Sequence, residues 1–384
     1  TILRGYLLMI PTIGLYRFWQ ATWKRRFYWH NTIIEGDPLE YTGTPGQLLI
    51  GFLFALAFFL PIYVAFFYLS IQLADVALIG YGVVFALLWF LSGYAAYRGR
   101  DFRLSRTLWR GVRFNQHGNA WAYALRRFLW SLLMVPTLGL IYPFMAASLW
   151  RYRYRHTWFG DRAFSVTASW RQIAGPYYAA WFINVVLTGA ITLRIVTTRD
   201  LVIIDKLVLP GPVGALHILG EVLVFAASIA SYRARSTSRF LSGITIGEAA
   251  LKVQVRARDL FLQSLLYVIA LLGLLVVFAV VALVALGSIF AVASAGGDVS
   301  DPAKIMAFFQ SGTINVVIVI AAYLVLLGAF GLLAEIILSF GWWKLLAHGA
   351  TITNAASLET VRATEEDRAL IGEGLADALN VGAY

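Results

Sequence analysis

The chain has 384 residues, of which 60% are hydrophobic, 15% aromatic and only 13% charged. A soluble domain is about 45–50% apolar and about 25% charged, so this composition excludes a soluble globular protein and requires a bilayer as second solvent. The net charge of +11 would suggest nucleic acid in a soluble chain, but in a membrane chain it points to basic cytoplasmic loops.

The elements follow in chain order. An apolar stretch broken by Pro11 and Gly14 leads into a basic, aromatic segment from Tyr16 to His30, which holds Arg17, Lys24, Arg25 and Arg26. Since the chain opens at Thr1 already inside an apolar stretch, a longer N-terminus is expected. Apolar runs 48–70 and 76–97 come next, joined near Gln72 and Asp75 without a basic residue. A second basic stretch, Arg98 to Arg127, holds eight Lys and Arg. Run 128–150 is flanked by Arg127 and Arg151 and interrupted by Pro136, Gly139 and Pro143, so it reads as a re-entrant or interfacial helix–break–helix. A third stretch, Arg151 to Arg171, has five basic residues. Runs 176–196 and 209–231 follow, joined by a loop in which Asp200 and Asp205 balance Arg199 and Lys206. The fourth stretch, Arg233 to Arg258, has six. Runs 259–291 and 313–343 are joined by 292–312, with Lys304 set against Asp298 and Asp301.

Each run reaches the roughly 20 residues that cross a hydrocarbon core, and backbone at that depth must satisfy itself as helix. Of the 31 Lys and Arg, 23 fall in the four basic stretches, which the positive-inside rule assigns to the cytoplasm. The expected fold is an all-α integral membrane protein of six crossing helices in three hairpins. Residues 7–47 match 132–172 without gaps at 12 of 41 positions, LLMIPTIGL against LLMVPTLGL. Each copy precedes a hairpin, and each hairpin ends in Tyr-Arg-small-Arg, at Tyr97–Arg100 and Tyr232–Arg235. Two tandem parallel repeat units are therefore expected, 1–127 and 128–258, followed by a third hairpin, 259–350, and an acidic tail, 351–384.

The basic stretches pair Thr with a nearby Gly: Thr32 and Gly36, Thr107 and Gly111, Thr157 and Gly160, Thr245 and Gly247. These are turn signals, and Ile33, Ile34, Leu39 and Tyr41 around the first suggest a short cytoplasmic β-hairpin. At the helix ends, Arg25, Arg26, Arg98, Arg100, Arg151, Arg153, Arg155, Arg233 and Arg235 are expected to snorkel to anionic lipid headgroups, among interfacial Trp and Tyr.

Inside the runs, ionisable residues are costly and draw attention. His217 and Glu221 lie four apart on one helix face, Glu335 sits in the last run, and Asn184 is an uncharged fourth. They could line a proton relay or polar substrate site, or simply make structural polar contacts. No nucleophile elbow or HExxH occurs, and no enzyme activity is expected. With no cysteine and five scattered histidines (His30, His117, His156, His217, His348), neither metal nor cofactor is expected.

The block PTIGLYRFWQATWKRRFYWHNTIIEGDPLEYTG (Pro11 to Gly43), its echo in the second copy, and GEGLADALNVG (Gly372 to Gly382) resemble the YjgN-like family of bacterial inner-membrane proteins. The resemblance covers nearly the whole chain. It implies a multi-pass inner-membrane location and supplies no catalytic or binding residue. In the tail, Leu370, Ile371, Leu375, Ala378 and Leu379 form an apolar stripe after Glu365, Glu366 and Asp367, so a short amphipathic helix is expected to dock on the basic loops.

The function this reading favours is transport or channel-like handling of a small solute, ion or lipid, in a polar cavity around His217, Glu221 and Glu335. The alternative is a non-catalytic scaffold or accessory subunit. Expected partners are membrane lipids, with a partner membrane protein or a homo-oligomer as further alternatives, and no nucleic acid.

Overall fold

The computed structural model describes residues 2–9, 11–12, 14–72, 74–198, 201–204, 207–295 and 313–364. Helix α1 (Ile2–Met9) is followed by α2 (Arg17–His30), strands β1 (Ile33–Ile34) and β2 (Asp37–Tyr41), α3 (Pro45–Gln72) and α4 (Ala74–Ser105). Strands β3 (Thr107–Trp109) and β4 (Val112–Gln116) lead to α5 (Ala120–Met134) and α6 (Tyr142–Arg155), then β5 (Thr157–Phe159), β6 (Arg162–Val166) and α7 (Trp170–Thr198). A separate hairpin, β7 (Leu201–Ile204) and β8 (Leu207–Pro210), joins α7 to α8 (Pro212–Leu241). Strands β9 (Ile244–Ile246) and β10 (Ala249–Val253) precede α9 (Ala257–Ala295). Helix α10 (Thr313–Leu333) passes through a π-helical turn, Ala334–Ser339, into α11 (Phe340–Gly349), β11 (Ala350–Thr353) and a 3-10 turn, Ala355–Thr360.

Besides the β7–β8 connection, a helix ends in a tight β-hairpin and the chain leaves in another helix four times. The local chemistry recurs. Thr32, Thr107 and Thr157 each bond back through Oγ1 to the carbonyl four residues earlier, at 2.8, 2.8 and 2.9 Å, closing the helix before the chain turns extended. The hairpin turns place Glu35–Gly36 and Arg110–Gly111 at positive φ, as a type I′ turn requires at both central residues. In the other two turns Gly160 and Gly247 alone have positive φ, as in type II′. Departing helices are capped by Thr44 with Gln47, by Asn119, and by Gln172 reaching back to the Ser169 amide.

The hairpins join edge to edge, with β11 at one end, into a nine-stranded antiparallel sheet ordered β1-β2-β3-β4-β5-β6-β9-β10-β11. It curls around an apolar centre of Trp109, Phe159, Ala249, Leu358 and Val361. The two edges come near each other through the helices that precede them: Trp343 of α11 stacks on Trp29 and Tyr28 of α2, and its Nε1 donates to Thr32 at 3.0 Å. The short hairpin expected around Ile33 to Tyr41 is present as β1–β2, and the extent of the sheet it joins corrects the expectation of an otherwise all-α fold. The strands are only two to five residues long, too short to register as an alternating pattern, and they sit inside stretches that read as basic loops.

Among the described residues, six helices are long and apolar enough to cross a membrane: Pro45–Gln72, Gly80–Ser105, Trp170–Arg194, Pro212–Leu241, Ala257–Leu283 and Ile320–Gly349. Their side chains face outward; none of the most apolar window of Ala257–Leu283 is buried against protein. Such a surface is compatible with lipid, and not with water. Run 128–150 is not among the six. It is broken at 135–141, and its two halves start from neighbouring strands, because β4 precedes α5, β5 follows α6, and Phe114 pairs with Phe159.

Both breaks have one geometry. Gly14 and Gly139 have φ of 80° and 85°; their amides bond Met9 O at 2.8 Å and Met134 O at 2.9 Å. Thr12 and Thr137 each bond the carbonyl four residues back, at 2.7 and 2.6 Å. Downstream, Arg26 donates to Gly43 O and Arg151 to Ala168 O, again 125 residues apart. The connector charges at 199–200, 205–206 and 296–312 and the tail helix expected beyond 364 lie outside the described residues.

Candidate functional site

Glu335 is the most enclosed acid placed by these helices, 9% exposed in the π-helical turn. A π turn admits one extra residue per turn and loosens the backbone ladder, a local feature often found at functional sites. Here Gln263 of α9 donates its amide to the freed carbonyls of Ile337 and Leu338, at 2.6 and 2.8 Å. Glu335 itself points to α2. Its Oε2 meets Lys24 Nζ at 2.7 Å, and its Oε1 accepts from the Tyr28 hydroxyl at 3.0 Å. Lys24 and Tyr28 lie four apart, so one face of α2 supplies both partners. Burial, and then the charge on Glu335, push the Tyr6 hydroxyl of α1 above the ordinary phenol range.

On the other side of Lys24 opens a cleft of about 850 Å³ between α1, α2, β2 and Phe340. Arg4, Lys24, Arg26 and His30 line it, against one acid, Glu40. Gln20 is in the wall, 6% exposed and packed over Gly5, and its Nε2 has no hydrogen-bond partner. A buried amide donor left unpaired costs about 1–3 kcal/mol, so its position is a strained one.

Sequence reasoning selected Glu335 and missed Lys24, Tyr28, Gln20 and Arg4. A signal existed. At the positions 125 residues later, Arg4, Gln20 and Lys24 become Leu129, Met145 and Leu149. Met145 and Leu149 pack with Tyr97 and Tyr123.

The other polar candidates stand apart from Glu335. Glu221 accepts from Thr188 of α7. His217 Nδ1 meets Val213 O at 2.6 Å on its own helix, and not Glu221. Asn184 donates to Ala180 O at 2.6 Å, while its Oδ1 is buried without a partner. No hydrogen bond or ion pair among the described residues joins these groups to Glu335, and none of His217, Glu221 and Asn184 lines the cleft beside Lys24. The i, i+4 spacing put His217 and Glu221 on one face, but that face turns toward α7, where Thr188 takes the carboxylate.

The helix-end arginines divide into two groups. Arg100 is committed to the sheet, donating to Gln116, to Thr157 Oγ1 at 2.9 Å and over the Tyr154 ring. Arg25 bonds the Tyr41 hydroxyl, Arg26 bonds Gly43 O, Arg98 pairs with Asp101 at 3.2 Å, and Arg151 holds Ala168 O. Arg153 lies over Trp150 and Arg233 over Trp342. Arg155 and Arg235 are exposed at the helix ends.

The second break is sealed from α7: Tyr177, Tyr178 and Trp181 donate to Gly139 O, Leu140 O and Leu138 O, at 2.8, 3.0 and 3.0 Å. The matching positions on α3 are Phe52, Leu53 and Leu56, which carry no donor. Among the described residues, no group of three or more His, Cys, Asp or Glu is arranged to hold a metal.

No curated protein and no solved structure matches this chain. A family model described as "Bacterial protein of unknown function (DUF898)" matches residues 3–378. The chain therefore belongs to this bacterial family, the YjgN-like family.

Proposed function

We propose that this is a multi-pass inner-membrane protein, with its sheet in the cytoplasm, that handles a small solute, ion or lipid at the α1–α2 cleft without catalysing a covalent reaction. One observation carries the reading: a buried carboxylate, Glu335, held by Lys24 at the wall of a basic cleft. An anion entering the cleft competes with Glu335 for Lys24, and Glu335 sits on the loosened turn that joins α10 to α11. Binding and helix geometry are coupled in this way. The matched hydrogen bonds at Gly14 and Gly139 support a duplicated unit, in which the second break serves as a fixed support and the first faces the site. Both breaks are re-entrant in this reading, since α5 and α6 return to one sheet. Arg155 and Arg235 face anionic headgroups.

The outward apolar faces of the six spans favour a second reading, an accessory subunit whose helices are covered by another chain. Native mass spectrometry of the protein gently extracted from its own membrane separates the two. A lone chain or homo-oligomer that carries a small molecule or selected lipid, lost in Lys24→Met/Glu335→Leu, is the expected result. A different protein retained in fixed stoichiometry, with no bound small molecule, would replace the cleft reading with the accessory-subunit one.

A further inference from the structure

We infer that the α1–α2 cleft is a binding site for an anionic amphiphile, the phosphate-bearing headgroup and adjoining acyl chain of a membrane lipid. This rests on the reading of the cleft as the functional site and names its ligand class. The first argument is charge: Arg4 and Arg26, both exposed, and Lys24, which Glu335 pairs from outside the cleft, face it against the single lining acid Glu40. Phosphate oxygens accept several charge-assisted hydrogen bonds at once, which suits such a cluster.

The second is Gln20. The residue is 6% exposed, its Nε2 is buried and unbonded, and it belongs to the cleft wall. An acceptor in the cleft would remove that defect, and nothing else among the described residues does. The third is the apolar content of the same walls. Trp23 and Phe27 are 60% and 55% exposed, beside Tyr16 and Phe340. A free hydrophilic anion has no use for these rings, whereas an acyl chain does. The fourth is the contrast with the matching groove between α5 and α6. There Met145 and Leu149 replace Gln20 and Lys24, and Tyr97 and Tyr123 pack onto them. The polar residues that line the open cleft are replaced, at the matching positions, by apolar residues packed on one another.

The test is binding to the intact protein in a neutral detergent, followed by native mass spectrometry. The probes are dioleoylphosphatidylglycerol, dioleoylphosphatidylcholine and inorganic phosphate. The site variant is Arg4→Leu/Gln20→Met, which installs the residues of the matching groove and leaves Lys24 and Glu335 in place. Lys252→Leu is the control, at an exposed cation of β10 outside the cleft. The expected result is saturable phosphatidylglycerol binding, weakened at least tenfold by Arg4→Leu/Gln20→Met and unchanged by Lys252→Leu, with phosphate failing to compete. Equal binding of both lipids, equal loss in the control, or displacement by inorganic phosphate would overturn the lipid assignment. An unchanged melting temperature in the site variant excludes a folding defect as the cause of lost binding. If phosphatidylglycerol fails while the native protein still carries another species lost in Lys24→Met/Glu335→Leu, the ligand class falls and the cleft reading stands.

Discussion

Lys24→Met will cost about 3 kcal/mol of stability, and adding Glu335→Leu in the same chain will recover most of it. The single substitution leaves a carboxylate 9% exposed, with only the Tyr28 hydroxyl against it. Removing one partner of a buried pair is the expensive change, because the other charge stays desolvated; replacing both with apolar groups of similar size is often close to neutral. Lys24 keeps 28% of its side chain exposed, which puts the expected loss at the low end of the range. Glu335→Leu alone should cost less, since the partly exposed Lys24 ammonium can turn to water. A double-mutant cycle on thermal unfolding in detergent measures the coupling, and additive single effects would show that the pair does not hold α2 to the π turn.

The second large effect is expected at Gly160. Its φ is +53°, and a Cβ there would overlap the Arg362 carbonyl and lie 2.8 Å from Val361 Cγ1. The segment 355–362 crosses the curled sheet at that point, with Leu358 and Val361 in the apolar centre. It is strapped by Asp161 N to Arg362 O and Arg362 N to Asp161 Oδ1, both at 3.1 Å, by Arg162 to Thr360 at 2.7 Å, and by Arg110 to Glu359 at 3.3 Å. Hydrogen bonding to Asp37 first, then the nearby charges, raise the Arg110 guanidinium further above its ordinary value. Gly160→Val should release this strap at a local cost of about 3 kcal/mol, from left-handed strain plus overlap. Trypsin cleavage after Arg362, slow in the native protein, should then become fast while the helices stay intact; a cleavage rate equal to the native one would mean that the strap is not held there. Asp161→Ala, which removes one bond, should cost about 1 kcal/mol.

Much of the helical frame could be read from residues alone. Hydropathy located the six long helices, and Pro11 with Gly14 and Pro136 with Gly139 located both breaks. The glycines of the basic stretches announced turns, and four of them do take positive φ. The sheet could not be read, because its pairings bring together hairpins far apart in the chain. Phe164 meets Ile246 and Ala250 meets Thr353, and no local pattern encodes such a register. The site was half visible. Glu335 stood out as an acid in an apolar run, but Lys24 lay in a basic, aromatic stretch where every cation looked like a headgroup anchor. His217 and Glu221 looked paired because helical spacing fixes which face two residues share, and not which neighbouring helix that face meets.

The account depends on the four helix–hairpin units ending on one side of the membrane, where their strands form the sheet that carries β2 and the cleft. Since the chain has no cysteine, single introduced cysteines report accessibility without background. Glu35 and Glu248 are exposed at two hairpin turns of the sheet, and Asp200 lies in the connector between α7 and α8. A membrane-impermeant maleimide should label Glu35→Cys and Glu248→Cys in inverted vesicles and not in intact spheroplasts, with the reverse for Asp200→Cys. Labelling of Glu35→Cys and Glu248→Cys from opposite sides would contradict the shared sheet and, with it, the site built on its edge.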